Sequence, residues 1–332
     1  MNMSSTSNNV VSASSLPQSF TGRATRRQTT PRTKPGPEMG VGDKLGAGDS
    51  YLVADVLPSD LAAVAFENML TEVKWNTMYH RGGEVPRLVA VEGEVGDDGS
   101  FPLYRHPADE SPPLSPFSPT VARIRDYVQK ILEHPVNHVL IQHYRSGKDY
   151  ISEHSDKTID VVRGSNIVNV SLGAQRVMTL RQKVPKAPVA APEASADADT
   201  RAIKPPPRPT QRIRLPHNSM FIMGPETNRR WLHGINHDNR AVSAKSPEEL
   251  SYGGGRISLT FRHIGTFLTK DESRIYGQGA TGKTREDARP VINGGSQSEA
   301  LIRAFGEENQ RNDFDWERGY GKGFDVLHFE QK

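Results

Sequence analysis

One short segment, residues 256–262, alternates strictly between polar and apolar side chains. Its apolar members are Ile257, Leu259 and Phe261, and its polar members are Arg256, Ser258, Thr260 and Arg262. A two-residue period is typical of a β-strand, because successive side chains of a strand point to opposite faces. The segment therefore predicts a strand with one apolar face and, on the other face, two arginines beside two hydroxyls. Such a polar face suits a buried dianion better than a packed core.

His154 and Asp156 stand two residues apart and offer two metal ligands. In an extended segment this spacing sends both side chains to one side, whereas in a helix it would turn them about 200° apart. One more histidine would complete the two-histidine, one-carboxylate set of non-haem iron(II), which leaves positions open for a chelating keto acid and O2. His233, which follows an apolar segment and a turn, is the expected third ligand, and His237 is the alternative.

The two arginines of the alternating strand are spaced to bind opposite ends of one ligand. Six residues of strand separate the α-carbons of Arg256 and Arg262 by about 20 Å, and long side chains that lean inward can close most of that gap. One guanidinium could form a bidentate pair with the far carboxylate of a short dicarboxylate, while the other would lie near the metal. The sequence thus predicts adjacent sites for a metal and a dicarboxylate.

The composition limits the chemistry that the chain can use. No cysteine is present among its 332 residues, which excludes disulfides, thiolate zinc sites and cysteine nucleophiles. Hydrophobic residues make up only 35% and the mean hydropathy is −0.62, so we expect part of the chain to lie outside a packed core. No apolar run approaches the roughly 18 residues that cross a bilayer, so we expect no membrane association. A net charge of +3 and a pI near 9.0 permit a nucleic-acid partner.

Changes in composition divide the chain into three parts. Residues 1–45 are predicted to be a disordered basic arm, in which no acidic residue precedes Glu38. Residues 46–270 are the predicted folded domain, interrupted at 184–210 by a disordered Pro/Ala-rich loop, and residues 271–332 are a C-terminal extension. The basic residues of the arm are Arg23, Arg26, Arg27, Arg32 and Lys34. We expect this arm to direct the protein to the nucleus; a mitochondrial transit peptide, a phosphate-contacting tail or a cytoplasmic protein with an unspecific tail are the alternatives.

The predicted elements indicate a mostly β domain with flanking helices. Apolar residues recur at helical spacing in residues 60–75, with Ser59 as a possible cap, and in residues 120–132. Short strands separated by Gly, Pro, Asp and Asn follow at residues 138–144, 167–172, 176–180, 219–223 and 256–264. Helices first and many short strands afterwards favour a double-stranded β-helix, or jelly roll, buttressed by helices.

Together these residues resemble the AlkB family of Fe(II)/2-oxoglutarate-dependent dioxygenases, and most closely the branch that repairs alkylated DNA. The resemblance extends over roughly residues 50–268. In chain order its motif residues are Tyr144, His154, Asp156, His233, Arg256, Ser258, Thr260 and Arg262. It implies a jelly-roll core, iron(II) held by His154, Asp156 and His233, and a catalytic role for Asp156. It also implies 2-oxoglutarate held by Tyr144, Arg256 and Arg262, with Gln142 and Ser258 beside them.

The resemblance also implies an activity. Relatives of this kind use Fe(II), 2-oxoglutarate and O2 to hydroxylate an N-alkyl carbon of a nucleic-acid base, and release formaldehyde, succinate and CO2. We expect alkylated DNA rather than RNA as the substrate, and a monomeric enzyme. An oxygenase of the same chemistry that acts on a metabolite or a protein is the alternative, and a binding protein with an inactive site is disfavoured by the complete set of ligands and arginines.

Two positions depart from the family pattern. The family usually has asparagine two residues before the motif tyrosine and again in the middle of the arginine strand, where this chain has Gln142 and Ser258. Glutamine keeps the amide but displaces it by a methylene, and serine keeps one hydrogen bond with less reach. The expected consequence is a lower affinity for 2-oxoglutarate or a branch with a different substrate.

Candidate substrate contacts are concentrated in residues 75–87, where relatives build a lid over the damaged base. Tyr79 could stack on a base turned out of the duplex, Arg81 and Arg87 could contact phosphates, and Tyr104 is a further candidate. The alternative is an ordinary polar loop.

Residues 277–284 match the letters of a phosphate-binding P-loop. A working P-loop follows a buried strand and opens a helix, but the residues before this one are charged and no suitable strand precedes it. We therefore interpret the match as accidental.

Overall fold

The computed structural model describes residues 37–80, 83–107, 112–184 and 207–328. In chain order the strands are β1 (Glu38–Met39), β2 (Tyr51–Val53), β3 (Asn76–His80), β4 (Gly83–Gly93), β5 (Phe101–Pro102), β6 (Leu114–Pro116), β7 (His138–Tyr144), β8 (Ile151–His154), β9 (Ile167–Gly173), β10 (Arg176–Gln182), β11 (Thr210–Leu215), β12 (Ser219–Met223), β13 (Trp231–Ile235), β14 (Arg256–Arg262), β15 (Thr266–Leu268), β16 (Arg274–Gly277), β17 (Arg289–Pro290), β18 (Ile292–Asn293) and β19 (Val326–His328). The helices are α1 (Ser59–Glu72), α2 (Pro119–Leu132), α3 (Pro225–Arg230), α4 (Pro247–Leu250), α5 (Gly295–Gln310) and α6 (Trp316–Tyr320).

Two mainly antiparallel sheets form the jelly roll. The larger has the order β2-β12-β9-β14-β7-β4-β3, with β6 paired to β4, and the smaller has the order β1-β11-β10-β13-β8. An apolar cluster with members from both sheets lies between them, including Phe221 and Ile167 of the larger sheet and Leu180, Ile213 and Ile235 of the smaller. The predicted fold class, a jelly roll with flanking helices, is confirmed.

Helices α1 and α2 cover the outer face of the larger sheet. Their buried residues share one cluster with the apolar side chains of β14, which are Ile257, Leu259 and Phe261. The opposite face of β14 points between the two sheets, and there Arg256 and Arg262 are 0% and 2% exposed. The alternation in the sequence therefore places the arginines inside the jelly roll, while α1 and α2 bury the apolar face.

Several element boundaries differ from the predicted ones. Helix α1 ends at Glu72 rather than at residue 75, because Val73 is already extended and the chain turns into β3. Its N-cap is Pro58, without a side-chain cap hydrogen bond, so Ser59 does not cap it. Strand β4 was not among the predicted strands, and it contains Pro86. This proline lies in the register irregularity between β3 and β4, where a missing backbone N–H costs little.

The segment from residue 271 onward packs against the jelly roll. Strands β16 and β17 extend a four-stranded sheet that also contains β15 and β5. Helices α5 and α6 and strand β19 form an apolar cluster in which Phe305, Tyr320 and Val326 pack with Ile159 of the jelly roll. At the other end of the chain, β1 pairs with β11 and Leu45 is 0% exposed, so residues 38–45 also pack on the domain.

The division into arm, domain and extension stays a prediction. Residues 1–36 of the arm and residues 185–206 of the Pro/Ala-rich loop lie outside the described residues. Within the described ranges, no helix combines the length and apolar character needed to span a membrane.

Candidate active site

His154, Asp156 and His233 come together at one end of the space between the sheets. One potential ligand atom of each lies within 4.8 Å of the others. His154 ends β8 and His233 lies on β13, and the two residues are direct cross-strand partners, which sets their rings 4.3 Å apart between centroids. The Nε2 atoms of His154 and His233 lie 3.8 and 3.7 Å from Asp156 Oδ1. The cluster therefore presents two imidazoles and one carboxylate close together.

His237, the alternative third ligand, lies outside this cluster. Its Nδ1 is 3.0 Å from the carbonyl oxygen of Lys148, and its ring contacts that of Tyr150 at 3.9 Å. Three residues and the end of β13 separate it from His233, and it lies against the loop before β8. The geometry thus selects His233.

Burial keeps both clustered histidines neutral. It lowers the pKa of His233 to about 3 and holds the pKa of His154 below its ordinary value. The Nδ1 of His154 donates to the carbonyl oxygen of Ser152 at 2.8 Å, which leaves Nε2 as the free lone pair. The Nδ1 of His233 is buried and has no partner in the part of the chain that the structure describes. Neutral imidazoles with free Nε2 atoms are the form that binds a metal.

Asp156 is held on three sides. Its Oδ2 accepts hydrogen bonds from Nε and Nη2 of Arg262 at 3.0 and 2.7 Å, and Oδ1 faces the two histidines. Its backbone N–H and C=O are bonded to the side-chain amide of Asn228 at 2.9 and 3.0 Å. Burial opposes ionisation, but the Arg262 cation outweighs it and keeps the pKa of Asp156 well below its ordinary value. The carboxylate is therefore charged and fixed in orientation.

Arg256 lies at the other end of the same pocket. Its Nη2 donates to Asn169 Oδ1 at 2.9 Å and to Ser171 Oγ at 2.7 Å, and its Cζ lies 5.3 Å from the centre of the Tyr144 ring. Burial lowers the pKa of Arg256 to about 10, so the side chain remains a cation at neutral pH. No carboxylate is among these contacts.

The free donors in the pocket fit a dicarboxylate. Among the described residues, Nε and Nη1 of Arg256 and Nη1 of Arg262 are buried and lack a hydrogen-bond partner. A buried N–H without a partner costs free energy that an anionic acceptor would recover. The pocket lined by these arginines, Tyr144 and the clustered ligands measures about 390 Å³ including its open mouth. Its nitrogen and oxygen ligands suit Fe(II), and its cationic donors suit 2-oxoglutarate.

The two residues that depart from the family pattern are neighbours. Gln142 on β7 pairs directly with Ser258 on β14, and both line the pocket. Gln142 Oε1 accepts from the Tyr144 hydroxyl at 3.2 Å. Asn169 on β9, which sequence reasoning missed, donates to Ser258 Oγ at 2.6 Å. A signal was present, because Asn169 and Ser171 alternate with apolar residues along β9 in the same way as the polar residues of β14.

The predicted substrate contacts occupy different surroundings. Tyr79 on β3 is 55% exposed, whereas Arg87 is half-buried and donates to the Tyr150 carbonyl oxygen at 2.8 Å. Arg81 lies outside the described residues. Tyr104 packs behind the pocket, with its ring 3.9 Å from Cζ of Arg262. Tyr104 thus supports Arg262, and its role as a substrate contact stays a prediction, as do those of the other three.

The loop that carries the metal ligands is supported by helix α5. Asn309 Oδ1 accepts from the backbone N–H of Ser155 at 2.9 Å and from Nζ of Lys157 at 3.2 Å, which are the two residues flanking Asp156. The Glu308 carboxylate accepts from the backbone N–H of Thr158 at 3.1 Å. Sequence reasoning did not connect the C-terminal extension with the site, because no pattern in either segment indicates this pairing.

Residues 277–284 do not form a phosphate site. They begin at Gly277, the last residue of the short strand β16, and continue as turns and bends rather than as a helix. Lys283 Nζ donates to the carbonyl oxygens of Gln278 and Ala280 at 3.0 and 2.6 Å. The lysine thus bonds to the backbone of its own loop.

A family model and related sequences agree with this geometry. A family model described as the 2OG-Fe(II) oxygenase superfamily matches residues 49–262. The DNA oxidative demethylase ALKBH2 of Homo sapiens is 31% identical over 215 residues, which cover 62% of this chain and 69% of that protein. The alpha-ketoglutarate-dependent dioxygenase alkB homolog 3 of Bos taurus is 25% identical over 205 residues, or 60% of each chain. The solved structure of OsALKBH1 overlaps 65% of this chain with a TM-score of 0.39 and 17% identity.

The family match covers more than half of the chain and includes every residue of the cluster and of the arginine strand. Its cofactors are Fe(II), 2-oxoglutarate and O2, and the donor set of the pocket suits the first two. The chain therefore belongs to the 2OG-Fe(II) oxygenase superfamily and is an AlkB-like 2-oxoglutarate-dependent dioxygenase.

Proposed function

We propose that this dioxygenase removes N-alkyl groups oxidatively from nucleic-acid bases, with DNA preferred over RNA, and releases formaldehyde, succinate and CO2. The proposal rests on one observation above all. A cluster of His154, Asp156 and His233 shares a buried pocket with unpartnered N–H groups of Arg256 and Arg262. The relatives named as DNA oxidative demethylases support the choice of nucleic acid. The basic character of the chain agrees with a polyanionic partner.

In this proposal His154, Asp156 and His233 hold Fe(II), which supplies the activation of O2 when bound. Arg262 holds Oδ2 of Asp156, so that Oδ1 stays on the side of the histidines. Burial lowers the pKa of both imidazoles. Both are therefore already neutral, and neither must release a proton before it binds the metal. The metal ligands are thus oriented in advance, and metal binding requires little rearrangement.

The arginine strand provides the 2-oxoglutarate site. Arg256, deep in the pocket, would pair with the far carboxylate through Nε and Nη1, and Arg262 would offer Nη1 near the metal ligands. The Tyr144 hydroxyl, oriented by Gln142, and the Ser258 hydroxyl complete the polar lining. Because the surroundings are buried, each charge-assisted hydrogen bond is stronger than it would be in water.

The substrate would approach over the β3–β4 hairpin. Tyr79 exposes an aromatic ring there, which suits stacking on a base or wedging into a duplex. Arg87 follows on β4 and reaches Tyr150, next to the pocket residue Ile151. Arg81 and Tyr104 remain candidates for phosphate and base contacts. A monomeric state and a nuclear location are further parts of the proposal.

The test is a turnover assay with three substrates. Protein is loaded with Fe(II) and 2-oxoglutarate without oxygen, O2 is admitted, and succinate and formaldehyde are measured with N-methylated DNA, N-methylated RNA or neither. We expect formaldehyde in proportion to succinate, and fastest with DNA. Succinate release that nucleic acid leaves unchanged, without formaldehyde, would instead favour an oxygenase acting on a metabolite or a protein.

A further inference from the structure

Asn169 is the one amide side chain that reaches across the floor of the pocket from strand β9. It pairs in register with Thr260 of β14, and both line the pocket. Its Oδ1 accepts from Nη2 of Arg256 at 2.9 Å, and its Nδ2 donates to the hydroxyls of Ser258 and Thr260 at 2.6 and 3.1 Å. One amide thus contacts three consecutive polar positions of the arginine strand.

The chemistry of these partners determines how the amide is turned. Arg256 can only donate, so the atom that faces it must be the oxygen of Asn169, and the nitrogen must then face the two hydroxyls. Ser171 stands on the same side of β9 and shares Nη2 of Arg256 at 2.7 Å. Both hydrogens of Nη2 are used by these contacts, which leaves Nε and Nη1 of Arg256 without a partner among the described residues.

We infer that Asn169 is a positioning residue for 2-oxoglutarate, which supplies from β9 the amide that Ser258 of β14 lacks. It holds the Arg256 guanidinium in the orientation that presents Nε and Nη1 to a carboxylate. It also orients the Ser258 and Thr260 hydroxyls that line the pocket. The departure from the family pattern at position 258 is therefore compensated by a residue on the neighbouring strand. This inference rests on the proposed 2-oxoglutarate site.

Three variants test the inference by measuring 2-oxoglutarate binding calorimetrically to protein loaded with Mn(II) in the absence of oxygen. Asn169→Ala removes the acceptor from Arg256 and should weaken binding about tenfold or more. Asn169→Asp places a carboxylate against Arg256, where it competes with the ligand, and should weaken binding further. Asn169→Ala with Ser258→Asn returns an amide to the same space from β14 and should recover part of the lost affinity.

Asn166→Ala is the matched control. Asn166 precedes β9, and its contact with His134 Nε2 at 3.3 Å uses the backbone N–H, which alanine retains. Binding of Mn(II) alone and the melting temperature report whether the site and fold are intact in every variant. If Asn169→Ala is insoluble, the 2-oxoglutarate affinity of Asn169→Asp decides the test, because aspartate has nearly the same volume as asparagine.

The outcomes separate the inference from the proposed function. Failure of the unsubstituted protein to bind 2-oxoglutarate would overturn the proposed site itself. Normal binding by the unsubstituted protein, together with affinities of Asn169→Ala and Asn169→Asp within twofold of Asn166→Ala, would overturn the role of Asn169 alone. Weaker binding in both Asn169 variants, with Mn(II) affinity unchanged, supports it.

Discussion

The two ends of the pocket are supported in different ways. The end that holds Arg256 is built from adjacent strands of one sheet. Its strand β14 lies between β7 and β9, and Arg256 contacts side chains of both neighbours. The end that holds Asp156 lies on a loop after β8. That loop is bonded to Asn228 on α3 and to Asn309 on α5, which lies more than 150 residues later in the chain.

The difference separates an end held by the backbone ladder of one sheet from an end held by side chains outside that sheet. Sheet pairing holds Arg256 and its neighbours in place through backbone hydrogen bonds that any strand would make. The loop around Asp156 has no such ladder, so side chains must satisfy its backbone groups. Residues 308 and 309 lie beyond the family match of residues 49–262. The metal end thus depends on a segment that the family pattern does not include.

The largest expected effect is the loss of metal binding at the loop end. Asp156→Ala removes one ligand and leaves the buried Arg262 cation unpaired, so we expect no measurable Mn(II) binding and a loss of stability of about 3–5 kcal/mol. His154→Ala and His233→Ala should also abolish binding. His237→Ala is the control, because that ring lies outside the cluster. Metal binding that survives His233→Ala but not His237→Ala would show that His237 is the third ligand.

The next effect concerns the sheet end. Arg256→Ala should weaken 2-oxoglutarate binding by on the order of 2–5 kcal/mol, because one carboxylate would be desolvated without its partner. Mn(II) binding should remain, since Arg256 does not contact the metal ligands. Arg214→Ala, a change at an exposed arginine of the smaller sheet, serves as the control in the same titration. An unchanged dissociation constant for 2-oxoglutarate would remove Arg256 from the site.

A smaller effect should reveal the long-range support of the loop. Asn309→Ala removes the acceptor shared by Ser155 and Lys157, and we expect Mn(II) to bind roughly 10-fold more weakly, the lower end of the effect of removing a partner that orients metal ligands. Asn312→Ala is the matched control, because its contact with Arg229 uses a backbone carbonyl that alanine keeps. Equal metal affinity in the two variants would show that α5 packs near the loop without positioning it.

The smallest effect lies outside both ends. Tyr79→Ala should slow turnover on a lesion in duplex DNA by a few-fold more than on the same lesion in a single strand, because only the duplex base must be held against re-stacking. Single-turnover rates on matched oligonucleotides measure this. Equal slowing on the two substrates would mean that Tyr79 only packs its hairpin.

The part of the molecule that could be predicted from the sequence is the part with a local period. The alternation of residues 256–262 correctly assigned Arg256 and Arg262 to one face, because side-chain direction in a strand depends only on position along the strand. The spacing of His154 and Asp156 placed both on one side for the same reason. Residues 120–132 were predicted as a helix within one residue of its observed start, since their apolar stripe is a local signal.

Contacts between distant segments were decided only by the tertiary structure. The sequence favoured His233 over His237 as the third ligand without excluding the second, and the cross-strand pairing of β13 with β8 brings His233 beside His154. Asn169 acquires its contacts from the register of β9 on β14, and Asn309 from the packing of α5 under the loop. Sheet register and helix docking result from the burial of apolar surface over the whole domain, which no short sequence pattern contains.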